Sequence, residues 1–498
     1  MLRLRHVPQR AAALAPLLIS TALSGCLAPV YERPEAPVSD GFPSLERREG
    51  EDPSSLPTAA AEGEALPDWR AVFTDPTLQE LIDRALENNR QLRSTALSVE
   101  QARVQLRLAR SAFGPSFTLE ASYSNTHVPA STSPFGESYT VNRFDIGPAV
   151  SWQLDLFGRI RYQRNAAIEQ TVAAAEDWRA ARIALIADVA GTALQERVYA
   201  ERRKLAQEAL DARIEAAEIV SAKVDAGLST ELELRQVEAL VVTAEVSLAQ
   251  LERATAQTHN ALVMLVGEPV EPLAPSGPDL EAMVMSTVPA GMPSDLLNNR
   301  PDIRAAEHRL IATHADIGAA RAAFFPQISL SGSMSTASSA LLGLFQPGTL
   351  AWSFVAPNIV QPLFNWGGKR ADLQAAKISQ EAAVASYEAA IQSAFREVAD
   401  VLVSWPTVED ELVSQEALLE VQSARVSLAN QRFDAGVSDY LEVLDAERER
   451  FAAEQSLMDV RLSKALLAVS LFEVVGGGVE STAPMPDGEE LPESKPRR

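Results

Sequence analysis

Ala109-Arg110-Ser111-Ala112-Phe113-Gly114-Pro115 closes a helix-forming stretch, and Ser116-Phe117-Thr118-Leu119-Glu120-Ala121-Ser122-Tyr123-Ser124 follows it at once. In the second segment Phe117, Leu119, Ala121 and Tyr123 fall on one face and the polar residues on the other, the period-two pattern of a β-strand. Both segments recur. Ala320-Arg321-Ala322-Ala323-Phe324-Phe325-Pro326 repeats the first at an offset of 211, and Gln327 to Ser335 repeats the second, with Ile328, Leu330 and Met334 opposite a run of serines. Phe157-Gly158 and Arg161 match Trp366-Gly367 and Arg370, Asp225-Ala226-Gly227 matches Asp434-Ala435-Gly436, and Gly267 matches Gly476, all at an offset of 209. Landmarks in one order at a nearly constant spacing mean a duplicated, domain-sized half, far too long for a solenoid repeat.

Each half reads as helix, strand pair, long helix, turn, helix. Leu78 to Ala112 is rich in helix formers. Gly158 to Lys223 runs 66 residues without proline, about 100 Å if continuous. Its counterpart, Lys369 to Phe433, contains Pro406, which predicts a kink or interruption. From Leu441, steps of three and four reach Leu444, Arg448, Phe451, Gln455, Met458, Leu462, Ala465, Val469 and Phe472; eight of the ten are apolar, which predicts coiled-coil packing. The remaining strand residues Phe144, Ile146, Val150, Trp152 and Leu154 share a face. Windows 113–157 and 324–366 hold 15 of the 29 aromatic residues, and the second window has no charge at all. Nine-residue alternations, aromatic enrichment and an uncharged face are what a lipid-embedded strand needs. Four strands cannot close a membrane barrel, because eight is the smallest number that does, so the chain must oligomerise; three copies give twelve strands.

The 498 residues carry a net charge of −23, which argues against a nucleic-acid partner. The only cysteine, Cys26, excludes an internal disulfide or a Cys-rich zinc site. Arg3, Arg5 and Arg10 precede an apolar run from Ala11 to Ala22, as in a signal peptide. Leu23-Ser24-Gly25-Cys26 resembles the lipobox of bacterial lipoproteins, which implies cleavage before Cys26 and lipidation there. Leu27 in place of aspartate implies the outer membrane. The proline-spaced segment up to residue 68 reads as an extended tether. The expected organisation is signal peptide 1–25, lipid-anchored segment 26–68, first repeat 69–267, linker 268–294, second repeat 295–478 and disordered tail 479–498.

Motifs for chemistry are missing from the sequence. There is no H-E-x-x-H, G-x-S-x-G, P-loop or G-x-G-x-x-G. His308 and His314 are six residues apart, on different helix faces, and read as exposed histidines rather than metal ligands. The expectation is no catalytic site, no cofactor and no metal.

Asn299-Arg300-Pro301-Asp302-Ile303 with Ala306-Glu307, Ile317 through Pro326, Leu154-Asp155-Leu156-Phe157-Gly158-Arg159, Gln361-Pro362-Leu363-Phe364, Phe395-Arg396-Glu397-Val398, Tyr440 through Ala446 and Tyr31-Glu32-Arg33-Pro34 together resemble the TolC-like outer-membrane factor family, in its lipoprotein branch of resistance-nodulation-division efflux systems. The resemblance covers about residues 69 to 478. It implies an α+β membrane protein: a homotrimer sharing a 12-stranded β-barrel in outer-membrane lipid and a periplasmic α-barrel of coiled-coil helices. It implies a passive exit duct for drugs or other small molecules, working with a periplasmic adaptor protein and an inner-membrane transporter. An exit duct for type I protein secretion and a non-conducting lipid-anchored scaffold are the alternatives. Trp405-Pro406 departs from the family pattern, as does Gly114, which stands where the second half has Phe325.

Gly227 and Gly436 follow helical runs and suit the left-handed C′ position. Thr230 with Glu233, and Asp439 with Glu442, are spaced as capping boxes for the next helix. The resemblance makes these turns the periplasmic tips that meet the adaptor, and makes Glu442 and Asp445 line the constriction closing the tunnel, with Arg448 one turn from Asp445. The alternative is that Glu442 only caps and that Asp445–Arg448 is a solvated pair.

Overall fold

The structure is a computed structural model and describes residues 29–38, 68–274, 280–284 and 297–477. The signal peptide, Cys26, most of the tether, parts of the linker and the C-terminal tail lie outside the described residues.

The chain is α+β. Helices α1 (Trp69–Val72), α2 (Pro76–Asn88) and α3 (Arg90–Ser111) lead into strands β1 (Ser116–Val128) and β2 (Tyr139–Leu154), then helices α4 (Arg159–Asp225) and α5 (Glu231–Val266). A one-turn α6 (Leu280–Met283) precedes α7 (Pro301–Ala322), β3 (Gln327–Ser338), β4 (Leu350–Val360), α8 (Gly368–Asp434) and α9 (Tyr440–Val474).

Two helix expectations need correction. The stretch predicted as one helix from Leu78 is two, divided at Asn89. Asn89 sits at φ −62°, ψ 125° and its side chain accepts from the Leu92 N–H, so it ends α2 and caps α3 together. Of the kink or interruption expected at Pro406, the interruption does not occur, for α8 runs 67 residues through it. Proline removes its own donor, and its ring crowds the carbonyl four residues back, that of Leu402. Around it the Ser404 hydroxyl donates to the Asp400 carbonyl and the Thr407 hydroxyl to the Ser404 carbonyl, at 2.7 Å each, while Trp405 is buried in the main core.

The four strands form one antiparallel sheet in the order β1-β2-β3-β4. Register puts Tyr123 opposite Phe144, Trp152 opposite Leu330 and Met334 opposite Trp352, so the apolar sets of all four strands share one face. That face is bare: Phe117, Leu119, Trp352 and Phe354 are each about 70% exposed. Its aromatic rings still find neighbours, as Tyr123 and Phe144 do at 4.6 Å. The three charged side chains of the strands, Glu120, Arg143 and Asp145, all lie on the other face, where Arg143 grips Asp145 through two bonds of 2.7 and 2.8 Å. A cation on the apolar face would cost about 2–4 kcal/mol at a bilayer midplane. Among the described residues no helix is long and apolar enough to cross a membrane.

Asp155 explains the turn from strand into helix. Its two carboxylate oxygens accept from the Ile160 and Arg161 N–H groups at 2.9 Å, satisfying donors that the first turn of α4 cannot pair internally.

The main core surrounds the middle of the two 67-residue helices. There Trp69, Phe73, Leu78, Ile82, Leu194, Leu262, Ile303, Tyr387 and Phe472 are fully buried, each contributing about 1.5–3 kcal/mol by the usual area measure. Buried charges tie the crossings. Glu176, with no exposed surface, bonds Arg179 at 2.6 Å and Arg304 of α7 at 2.8 Å. Glu196 accepts from the Leu273 N–H and pairs with His259 at 3.0 Å, fixing the chain that leaves α5.

The stretch 29–38 lies against this core, with Tyr31, Ala36 and Val38 packed on it. Glu307 of α7 accepts from the Tyr31 hydroxyl at 2.9 Å and from Nε of Arg33 at 2.8 Å, and also takes Arg33 Nη2. Burial and the Glu307 charge push the Tyr31 phenol well above its ordinary range. Tyr31 meets His314 edge-on at 5.4 Å, and His308 pairs with Glu169 at 2.8 Å. Both histidines are therefore half-buried and engaged, and the exposed positions expected of them are corrected.

Helix α9 buries more than one apolar line. Leu444 joins Ala216, Val220 and Val237; Val443 and Ala446 join Ala429; Leu457 and Val460 join Leu412. A single coiled-coil seam is too narrow for this, because α9 packs on α8 on one side and on α4 and α5 on the other.

Candidate functional site

The far ends of the long helices form two matching turns. At the first, the Leu228 N–H bonds the Lys223 carbonyl and the Gly227 N–H bonds the Val224 carbonyl, at 2.8 and 2.9 Å. At the second, Val437 bonds Arg432 and Gly436 bonds Phe433 in the same way, both at 2.9 Å. This is the Schellman arrangement, and it needs a left-handed residue at C′. Gly227 and Gly436 supply it at φ +70° and +71°.

The next helices start differently. Thr230 and Glu233 make the expected capping box: each side chain pairs with the other residue's N–H, at 3.3 and 2.9 Å. These bonds, led by the one from Ser229, hold the Glu233 carboxyl below its usual range. Asp439 makes no side-chain cap. The Glu442 carboxylate turns instead to Arg432 of α8, with Nε at 3.2 Å. Expecting a capping box at Asp439 was wrong, because a guanidinium on the adjoining helix competes for the carboxylate.

Asp445 sits between two cations. One oxygen takes Arg425 Nη2 of α8 at 2.6 Å and the other takes Arg448 Nη2 at 2.8 Å, while Arg448 also reaches Glu449 at 2.9 Å. Its bonds to Glu449, then the charge of Asp445, raise the Arg448 pKa further. Glu442, Asp445 and Arg448 are thus brought onto one helix face, bridged to α8 by Arg425 and Arg432. The side chains are close to half exposed, so water screens each contact and none of them is strong.

Arg425 and Arg432 were missed in the sequence. The signal was available: in an antiparallel helix pair, residues at similar distances before and after Gly436 must meet.

Around the pairs, the tips are knitted by aromatic contacts. Phe433 packs on Tyr440 at 5.0 Å, and Lys223 of α4 sits 4.9 Å over the Phe433 ring. Leu228, Leu232 and Val437 are left about 70% exposed. Between α4 and α5 a groove of about 690 Å³ opens, lined by Ile214, Ser221, Asp225, Leu234, Val241 and Val242.

The chain as a whole is similar to known proteins. The model of a family described as "Outer membrane efflux protein" matches residues 81–268 and 292–477. The chain is 42% identical over 465 residues to the solvent efflux pump outer membrane protein SrpC of Pseudomonas putida, covering 93% of this chain and 97% of that one. It is 38% identical over 467 residues to the outer membrane protein OprJ of Pseudomonas aeruginosa, covering 93% and 95%. Among solved structures, the open state of the MtrE outer membrane channel of Neisseria gonorrhoeae superimposes with a TM-score of 0.77 at 35% identity, over 90% of this chain and 98% of that one. A membrane protein from Pseudomonas aeruginosa gives 0.81 at 37% identity, over 90% and 100%.

Proposed function

The chain belongs to the outer membrane efflux protein family, and on that premise we propose how its parts work. It is the outer-membrane channel of an efflux pump. Three copies close the barrel, each giving four strands, and their long helices continue as a ring into the periplasm. The observation that carries this is the sheet: β1 and β4 have unpaired outer edges, and the shared apolar face is bare. Unpaired backbone groups in hydrocarbon cost several kcal/mol each, so the edges of neighbouring copies must pair.

The duct is passive. An inner-membrane transporter supplies the energy, and a periplasmic adaptor grips the tips around Gly227 and Gly436. The exposed Leu228, Leu232 and Val437 and the groove between α4 and α5 support this docking place. Glu442, Asp445 and Arg448 form the gate, held shut by the bridges of Glu442 to Arg432 and of Asp445 to Arg425. A lipid on Cys26 anchors each chain to the outer membrane, and the clip of Tyr31 and Arg33 on Glu307 ties that anchor to the helices. The cargo is small organic molecules, in keeping with the solvent pump named among the relatives.

Native mass measurement of the detergent-extracted protein tests the assembly. Three chains per particle are expected; a stable monomer that conducts ions across a bilayer would overturn the reading.

A further inference from the structure

Rings at the base of the sheet show how one hairpin meets the next. After β2 the chain reaches Phe157, and before β3 it passes Phe325; the two rings stack 4.9 Å apart with an interplanar angle of 19°. This contact seals the boundary between the first hairpin and the second. The register beside it places Leu154 opposite Ile328.

The two hairpins repeat in atomic detail. The Phe113 carbonyl accepts from Trp152 Nε1 at 2.8 Å, and the Phe324 carbonyl accepts from Gln361 Nε2 at 3.1 Å. Phe113 and Trp152 map onto Phe324 and Gln361 at the offsets of the duplication, 211 and 209. The same offsets turn Phe157 into Trp366 and Phe325 into Gly114. The boundary between the second hairpin and the next copy's first hairpin therefore has a larger ring on one side and no side chain on the other.

Three observations show that this swap is not explained inside one chain. Trp366 is 91% exposed and Leu363 92% exposed, and the nearest ring to Trp366 is its neighbour Phe364 at 5.3 Å. Trp366 is the one non-glycine among the described residues with positive φ, at +52°, a conformation that L-residues rarely adopt. Gly114 has no such excuse: its φ is not positive, and an added Cβ would meet only the Ser111 carbonyl at an ordinary 3.5 Å.

We infer that the Trp366 ring packs over Gly114 of the partner subunit, with Leu363 beside Phe117 of the partner subunit, as the assembly-specific counterpart of the Phe157–Phe325 stack. The absent side chain at Gly114 makes room for the indole, and the left-handed backbone aims it there. A Phe–Phe contact within the chain and a Trp–Gly contact between chains make the two kinds of boundary different in shape, so a second hairpin does not mistake its own first hairpin for its neighbour's. This rests on the three-copy reading above.

The test is a size swap with a cross-linking control, in the full-length protein extracted in detergent. Gly114→Phe should fill the space and remove the three-chain species, and Gly114→Phe with Trp366→Ala should restore it. Independently, Gly114→Cys combined with Trp366→Cys should be linked between chains by a short thiol-specific bifunctional reagent, whereas either cysteine alone should not. If the wild type is not trimeric, the three-copy reading fails and takes this contact with it. If the wild type is trimeric but the double cysteine does not link and Gly114→Phe assembles normally, Trp366 faces lipid and the inference is wrong. The cross-link decides the matter even if Gly114→Phe fails to fold.

Discussion

Arg300 donates from Nη1 to the Val474 carbonyl at 3.0 Å, tying the start of α7 to the last turn of α9. The first half does the same with a different side chain: Asn89 Nδ2 donates to the Leu265 carbonyl at 2.7 Å, tying the start of α3 to the last turn of α5. Beside each tie stands a glycine in the left-handed region that almost touches the opposing chain. A Cβ on Gly267 would lie 2.5 Å from the Asn88 carbonyl oxygen, and one on Gly476 would lie 3.1 Å from that of Asn299. The duplication thus preserves a geometry, a capped helix end against a close backbone, while changing the residue that makes it.

Gly267→Ala should therefore cost about 3 kcal/mol, the upper end for a strained left-handed residue, because the backbone has no room to give. Gly227→Ala, with nothing within 4 Å, should cost only about 1 kcal/mol. Thermal midpoints of the two variants in detergent would separate them; equal losses would mean that the close approach does not matter.

Arg300→Ala removes the bonds to Asp302, Glu397 and the Val474 carbonyl together. Stranding two partly exposed carboxylates and a buried carbonyl should cost about 2–3 kcal/mol, below the figure for a fully buried ion pair. Asn at this position would restore the carbonyl bond alone and recover part of the loss. A wild-type thermal midpoint for the Ala variant would contradict this.

The clip at Glu307 should be sensitive to acid. Burial lowers the His314 pKa below 6.5, so the folded form holds the ring neutral. A lowered folded pKa means that stability is complete above the ordinary histidine range and is lost as pH falls below it. Protonating His314 beside Tyr31 should loosen residues 29–38. Hydrogen-exchange protection factors there, with exchange rates divided by the intrinsic amide rate at each pH, should fall between pH 7.5 and 5.5 in the wild type, and Glu307→Gln should make them low at both. His314→Phe should remove the pH difference; persistence of the difference in that variant would assign it to another group.

Lipidation predicts a mature chain that begins at Cys26 with added acyl mass. Intact mass of the membrane-extracted protein reads this directly, and Cys26→Ser should leave the precursor unprocessed. A soluble chain with a free thiol at Cys26 would end that part of the account.

Most of the fold was legible because its signals are local. Period-two runs mark β1 and β3, proline-free length marks α4, and Gly227 and Gly436 mark the turns. What the sequence hid depends on the third dimension. Asn89 divides a uniformly helical stretch because its side chain serves two helices. Pro406 passes through α8 because tertiary packing, with Trp405 buried in the main core beside it, outweighs the one lost helix bond. Glu442 abandons its cap for Arg432, and Asp445 takes Arg425, because the adjoining helix brings cations that lie apart in the chain.

The account rests most heavily on a duct closed by a few polar contacts at the tips. Single-channel recording in planar bilayers of Asp445→Ala with Arg448→Ala tests this directly, with Arg425→Ala as the variant that cuts the tie of Asp445 to α8 while keeping its charge. The double variant should show raised resting conductance and weaker preference for cations over anions, since an acidic ring favours cations. Arg425→Ala should raise conductance and keep or strengthen cation preference. Conductance and selectivity unchanged from the wild type in both would place these residues on an outer surface and contradict the gate.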